Sequence, residues 1–277
     1  MKKAAAVNQK QRIRKTFYQR EGSKWAELWT LLHIYFTFMC ISFFSIGVGI
    51  SDNTNRLVLL GGAIAYFFGL QAAHFFDQTP SAQERGTRYV KLLTPKEILS
   101  LGILSAIIAF GIGIYFTIEW RAWHMLWLMP LQGFFVVAYP VGKLFRGFFH
   151  NDFWFALSFG FMPVAVGFYA NTLTLSWVII PFGVLCFLLS LQEITLSRYV
   201  RKLRKIAAEG MNVTPVNIDA TATINRTTQG NWNWVTVEKP QIPSPQILIE
   251  EYVAKPELAL KLLCITSYLL AICTFIV

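Results

Sequence analysis

The chain has 277 residues, of which 55% are hydrophobic and only 14% charged, with a mean hydropathy of +0.46. This composition excludes an ordinary soluble domain and indicates an integral membrane protein. The net charge of +10 requires no nucleic-acid partner, because membrane proteins concentrate Lys and Arg in the loops on one side.

The first 24 residues are basic and precede the first long apolar stretch. Residues 9–24 favour a surface helix held to anionic headgroups, with Ile13, Phe17 and Tyr18 as its apolar contacts. The basic stretch is too long for a cleavable signal peptide, and the apolar segment after it is long enough for a full span. We therefore expect a basic N-terminal surface segment over residues 1–24.

Seven apolar stretches approach the roughly 20 residues that a membrane-spanning helix needs. They cover residues 25–50, 57–76, 98–118, 122–138, 153–170, 175–191 and 258–277. The fourth is short and contains Pro130, where a helix can bend if neighbours satisfy the freed carbonyl. The predicted fold is an all-α polytopic bundle of about seven spans, with a core at 25–205, an inserted segment at 206–256 and a C-terminal helix at 257–277.

The Lys and Arg residues predict the orientation of these spans. Of the 25 such residues, 22 lie before the first span or in the loops after spans two, four and six. Positively charged loops stay in the cytoplasm. We expect an integral protein of the cytoplasmic (cell) membrane with its N-terminus in the cytoplasm and these loops forming a cap.

The loops over residues 77–97 and 192–256 are longer than the connections of about 12 residues that compact proteins usually tolerate. Residues 197–208 are typical of a basic amphipathic helix that ends near Gly210. Residues 211–256 are rich in Thr, Asn and Pro, and residues 231–237 have the pattern of a strand. This pattern predicts a small hairpin or a partly ordered flap, or alternatively a lid over a cavity.

An acidic residue occurs just past the end of each of two spans. Asp77 ends Ala73-His74-Phe75-Phe76-Asp77, and Glu193 lies in Gln192-Glu193-Ile194-Thr195-Leu196-Ser197-Arg198. A carboxylate at this depth is costly unless it is paired, which favours a functional role. Each could bind a metal ion, or it could pair with a nearby arginine as part of the structure. His74 could act as a base, or it could be an ordinary interfacial histidine.

The order and placement of these motifs resemble the UbiA superfamily of intramembrane prenyltransferases. That family carries Asp-rich motifs after spans two and six, and Asp77 and Glu193 stand at two of their acidic positions. His74 and Ser197 occupy positions of further aspartates. Other matching segments are Thr87-Arg88, the stretch from Thr94 to Glu97, Tyr139-Pro140-x-x-Lys143 and Gly160-x-x-Pro163.

The resemblance implies that Asp77 and Glu193 hold Mg²⁺ against a polyprenyl diphosphate, with His74 or Glu84 as an added ligand or base. It further implies that Arg88, Lys143 and Arg198 hold the diphosphate, because cationic side chains suit phosphate oxygens. Alternatively, these residues serve only orientation and headgroup contact. The family commonly has nine spans, so a partner chain could stand in place of the two that this sequence lacks.

Two functional hypotheses follow. The first is a divergent prenyltransferase that moves a polyprenyl group from its diphosphate to an aromatic or lipid acceptor. The second is a non-catalytic relative that binds an isoprenoid, another lipid or a quinone, or that scaffolds a membrane complex. Phenylalanines in the spans could line a prenyl channel or simply pack helices: Phe36, Phe38, Phe43, Phe44, Phe67, Phe68, Phe155, Phe159 and Phe161.

Overall fold

The computed structural model describes residues 22–78, 92–119, 123, 125–138, 148–210, 222–226, 232–236 and 254–275. The predicted N-terminal surface helix, at residues 9–24, lies largely outside this part of the chain. Contacts divide the protein into two compact units, one of Phe17–Arg198 with Leu258–Val277 and one of Met1–Thr16 with Tyr199–Glu257.

The described part of the larger unit is helical. Its helices are α1 (Lys24–Leu31), α2 (Ile34–Gly49), α3 (Arg56–Asp77), α4 (Pro95–Glu119), α5 (Met125–Ala138), α6 (Asp152–Ala156) and α7 (Met162–Thr172). Most of α8 (Ile179–Gly210) and α9 (Ala254–Cys273) also belongs to it. A turn of π-helix over Leu157–Phe161 joins α6 to α7.

Six helical segments of the described chain are long and apolar enough to cross a membrane. They are Lys24–Gly49, Arg56–Asp77, Pro95–Glu119, Asp152–Thr172, Ile179–Lys202 and Ala254–Cys273. The fourth predicted span corresponds to α5, a shorter apolar helix that contains Pro130. The prediction of a polytopic helical membrane protein is thereby confirmed, with α5 too short to count among the six.

Helix α2 is apolar on every side and lies at the centre of the bundle, as expected for a helix with no polar face. One buried cluster joins it to α7, α8 and α9 through Met39, Phe43, Ile46, Val164, Cys186, Cys264 and Ala271. Its closest neighbour is α7, while α3 packs most extensively against α4.

Two glycines allow α2 and α7 to approach closely. A Cβ atom added at Gly47 would overlap the carbonyl oxygen of Val164 and come within 2.9 Å of the Phe168 backbone nitrogen. One added at Gly167 would overlap the carbonyl of Phe44. Small residues at helix contacts allow two backbones to approach closely. The resulting van der Waals packing holds helices together in a membrane, where the hydrophobic effect contributes little.

The first span is not a continuous helix. His33 has a left-handed backbone conformation (φ 43°) and separates α1 from α2. The break frees the carbonyl of Leu32, which accepts hydrogen bonds from Thr37 Oγ1 at 2.9 Å and from Gln71 Nε2 at 3.2 Å. Gln71 also donates to Thr37 Oγ1 at 3.1 Å. Gln71 of α3 thus donates to the Leu32 carbonyl a hydrogen bond that the lipid core could not provide.

Carboxylates fix the start of α1 to the start of α4. Both oxygens of the buried Glu27 accept the backbone N–H of Leu92, at 2.8 and 2.9 Å, and one of them also accepts that of Leu93. Thr94 and Glu97 form a capping box at the first turn of α4, and Glu97 pairs with Lys24 at 2.6 Å. The matched segment from Thr94 to Glu97 therefore has a structural role here.

Helix α8 runs from Ile179 to Gly210, so the sixth predicted span and the predicted basic helix after it form one continuous element. Beyond it, strands β1 (Ala222–Arg226) and β2 (Trp232–Thr236) pair antiparallel, with Ala222 opposite Thr236. β2 falls within the segment whose pattern predicted a strand, and the pair forms the small hairpin considered from the sequence.

We expect Gly47→Ala to destabilise the bundle by about 1–3 kcal/mol, the usual cost of overpacking a tight contact. The added methyl group would meet backbone atoms of α7, which cannot move aside as a side chain can. The measurement is the thermal-unfolding midpoint in detergent. The control is Gly111→Ala, because a Cβ there meets nothing within 4 Å. Equal midpoints would contradict the close approach of α2 and α7.

Replacing Gln71 by Leu removes the amide that reaches the Leu32 carbonyl while keeping a side chain of similar size. The loss should cost about 1–2 kcal/mol, the range for such bonds between membrane helices. Thermal unfolding measures it, with Gln192→Leu at an exposed position of α8 as the matched control. A variant as stable as this control would show that the break at His33 does not depend on Gln71.

Candidate functional site

The predicted catalytic residues of α3 lie at its final turns. Asp77 is the last residue of the helix, half-buried, and accepts a hydrogen bond from Gln78 Nε2 at 3.3 Å. The His74 ring lies 4.6 Å from the ring of His33 and 5.8 Å from that of Phe36, measured between centroids. Its Nδ1 is buried and makes no hydrogen bond within the described part of the chain.

Glu193 lies on α8 and is buried. It is within electrostatic reach of Cys40 and Cys264. Its neighbour Ile194 packs in one buried cluster with Ala73, the neighbour of His74; the cluster also contains Cys40, Leu70, Phe155 and Phe159. The structure therefore brings the segments of His74 and Glu193 to the same region of the interior, as the two-motif hypothesis requires.

Of the three cationic residues of the predicted site, the structure describes Arg198. Arg198 forms an ion pair with Asp152 at 2.6 Å, between α8 and the first residue of α6. This contact gives Arg198 a structural partner. Arg88 and Lys143 lie outside the described residues, at 79–91 and 139–147.

No group of three or more His, Cys, Asp and Glu side chains in the described ranges is placed to hold a metal ion together. Mg²⁺ in phosphate-handling sites is often held by one or two carboxylates, with phosphate oxygens and water as the other ligands. Asp77 and Glu193 could provide two such carboxylates, and oxygen is the donor type that Mg²⁺ prefers.

A cavity of about 520 Å³ lies inside the larger unit, among α2, α3, α4, α5 and α7. This volume is within the range of pockets that hold drug-sized ligands. It is lined by Phe44, Val58, Gly62, Ala65, Tyr66, Gly69, Leu70, Ala72, Phe76, Ala106, Ala109, Phe110, Gly113, Phe116, Met125, Leu128, Met129, Pro130, Gln132, Gly133, Phe134, Val166 and Ala170.

Small residues on facing helices create the space. On α3 they recur at Gly62, Ala65, Gly69 and Ala72, a spacing of three or four residues that places them along one helix face. A Cβ atom added at Gly69 would meet only the Cβ of Ala109 on α4, at 3.9 Å. The absence of larger side chains on this face leaves a void that α5 borders from the far side.

The cavity reaches the outer surface between α4 and α5. Three of its lining residues, Phe110, Pro130 and Phe134, are also exposed, and we refer to them as the cavity mouth. Phe110 lies on the same exposed face of α4 as Ile107 and Ile114, near the middle of that helix. In a membrane this face contacts acyl chains, so the mouth opens toward lipid.

The predicted carboxylates do not line the cavity, although Asp77 directly follows a residue that does. None of His74, Asp77 and Glu193, all described, lines the cavity, whereas Phe76, directly before Asp77, does. Among the nine phenylalanines considered for a prenyl channel, each of which the structure describes, Phe44 lines this cavity. Phe38 borders a second groove of about 400 Å³ formed with Tyr268 and Phe275.

No sequence pattern indicated the polar residues of the cavity, Tyr66 and Gln132. A signal existed for the wall, because Gly and Ala recur at helical spacing in residues 62–72. No pattern in the sequence indicated that α5 would complete it.

Comparison with known protein families, curated proteins and solved structures found no match.

Proposed function

We propose that this integral membrane protein binds an isoprenoid or another apolar lipid within the bilayer. The observation that supports the proposal is the 520 Å³ cavity, walled by apolar side chains and open at the cavity mouth toward acyl chains. A ligand already dissolved in the membrane could enter there without passing through water. This is the binding alternative of the two hypotheses that the sequence suggested.

The energetics of an empty void also favour an occupant. Unfilled cavities destabilise protein cores by about 24 cal/mol per Å³. The cavity of about 520 Å³ has an open mouth, so an acyl chain or a ligand can enter it and remove such a cost. A void of this size is therefore expected to be filled, either by an acyl chain or by a specific ligand.

The finer topology belongs to the same proposal. Seven spans in a UbiA-like arrangement, with α5 as the short fourth span, would place the N-terminus and the ends of α3 and α8 in the cytoplasm. The distribution of Lys and Arg supports this orientation in the cell membrane. A partner chain in place of two further helices stays a prediction.

Gly69→Leu should weaken ligand binding while leaving the fold intact, because the added side chain would enter the cavity. The probe is radiolabelled farnesol, added to protein in lipid nanodiscs, with empty nanodiscs measuring partition into lipid. We expect saturable binding by the wild-type protein and a loss of affinity of at least about tenfold in the variant.

The matched control is Gly111→Leu, which adds the same side chain to the lipid-facing surface of α4. It should bind farnesol as the wild type does. Size-exclusion profiles of both variants report folding. If farnesol binds the wild type no better than empty nanodiscs, or if both leucine variants bind equally, the proposal is wrong.

We infer a second candidate function, prenyl transfer, from the position of Asp77. Because Phe76 lines the cavity, a prenyl chain in the cavity could leave its diphosphate near the end of α3. In this proposal Asp77 and Glu193 hold Mg²⁺, which would neutralise charge on the diphosphate, with His74 close by. Arg88, Lys143 and Arg198 would contact the phosphates, and Arg198 would then have to leave Asp152.

Release of diphosphate from farnesyl diphosphate, with and without Mg²⁺, tests this second candidate. An active enzyme should release diphosphate only with the metal, and Asp77→Asn should lower the rate by at least about 100-fold through loss of a metal ligand. Asp52→Asn, at the exposed loop before α3, is the control. No release from the wild type with aromatic or lipid acceptors would count against catalysis and leave the binding proposal standing.

A further inference from the structure

Two polar side chains interrupt the apolar wall of the cavity. Tyr66 lies on α3 and Gln132 on α5. The amide nitrogen of Gln132 donates to the carbonyl oxygen of Ser158, at 3.2 Å, within the π-helical turn. That bond fixes which end of the amide is the acceptor. The free acceptor of the wall is therefore the Oε1 atom of Gln132.

Both side chains keep an oxygen without a partner. Tyr66 Oη and Gln132 Oε1 are buried and make no hydrogen bond among the residues that the structure describes. Buried polar atoms in native proteins are nearly always paired with protein, water or ligand. Two unpaired oxygens on residues of one cavity thus indicate a polar group in the molecule that fills it.

The wall also determines the charge of that molecule. Among the described residues that line the cavity, no side chain carries a formal charge. An ionised headgroup placed here would be buried without a counterion, which is strongly unfavourable. A phosphate or carboxylate is therefore excluded from the wall, and an uncharged group is favoured.

We propose that the cavity selects an uncharged apolar molecule that carries a hydroxyl group, a conclusion that rests on the proposed function. The hydroxyl donates a hydrogen bond to Gln132 Oε1 and accepts one from Tyr66 Oη. Both oxygens are covered by neighbouring atoms in the structure, so the side chains that cover them move when the ligand binds, as is common at ligand sites.

The need for a donor separates this ligand from close analogues. Gln132 Oε1 can only accept a hydrogen bond. A hydroxyl satisfies it, whereas an ether or a hydrocarbon of the same shape leaves it unpaired. The cavity should thus discriminate a prenyl alcohol from its methyl ether, although the two partition similarly into lipid.

The experiment compares farnesol, farnesyl methyl ether and farnesyl diphosphate as competitors of radiolabelled farnesol on the wild-type protein in nanodiscs. We expect the alcohol to compete about 3- to 10-fold better than the ether, the value of one hydrogen bond. Farnesyl diphosphate should compete at least about tenfold less well than the alcohol, because its charge is not matched by the wall.

Two variants locate the effect. Gln132→Leu should lower the affinity for farnesol and leave that for the ether unchanged, so the preference for the alcohol disappears. Tyr66→Phe should lower the affinity for both compounds, because an ether oxygen can also accept a hydrogen bond from Tyr66 Oη. Gln192→Leu, exposed on α8, is the control and should keep the preference. Should a variant fail to fold, the comparison of alcohol and ether on the wild type still decides.

Equal affinity for farnesol and its methyl ether would overturn the selection of a hydroxyl. If Gly69→Leu blocks both compounds in that case, binding in the cavity stands and only the further inference fails. If neither compound binds above empty nanodiscs, the proposed function itself fails. Stronger competition by farnesyl diphosphate than by farnesol would overturn the choice of an uncharged ligand.

Discussion

The lipid core of a membrane offers no hydrogen bonds, so every break in a spanning helix must be satisfied by the protein. In this chain the break falls at His33, and the Leu32 carbonyl is satisfied by Thr37 and by Gln71. Because Gln71 belongs to α3, its hydrogen bonds to the Leu32 carbonyl and to Thr37 Oγ1 connect the second span to the first. The contact between the rings of His33 and His74 depends on the same arrangement.

Helix α3 then separates two interior environments. On one side it packs against α2 and the cluster of Cys40, Phe155 and Phe159, where the interior is filled. Elsewhere along α3 its small residues leave the cavity, which α2, α4, α5 and α7 also border. The helix that holds the predicted acidic motif at its end therefore also forms a cavity wall, so the proposed chemistry at Asp77 and the proposed binding in the cavity would both depend on α3.

The sequence predicted most of the helices because long apolar runs have few alternatives to spanning. It did not predict the break at His33, which depends on a donor from another helix, nor the continuation of the sixth span to Gly210. For the site, the resemblance pointed to the ends of spans two and six, and the structure places the neighbours of His74 and Glu193 in one buried cluster. The roles of these residues stay a prediction. The resemblance could not locate the cavity, because a void depends on which small residues face each other across helices.

The two candidate functions require opposite orientations of the ligand, because the polar wall residues and Asp77 lie at different points of the bundle. Tyr66 and Asp77 are 11 residues apart on α3, which corresponds to roughly 16 Å along a helix. A diphosphate held at Asp77 would place the apolar end of its prenyl chain toward the region of Tyr66. A prenyl alcohol paired with Tyr66 and Gln132 would point the opposite way, with its apolar end free to extend along α3. The same cavity thus favours an uncharged head held deep in the bundle, whereas catalysis at Asp77 requires a charged head held at the end of the helix.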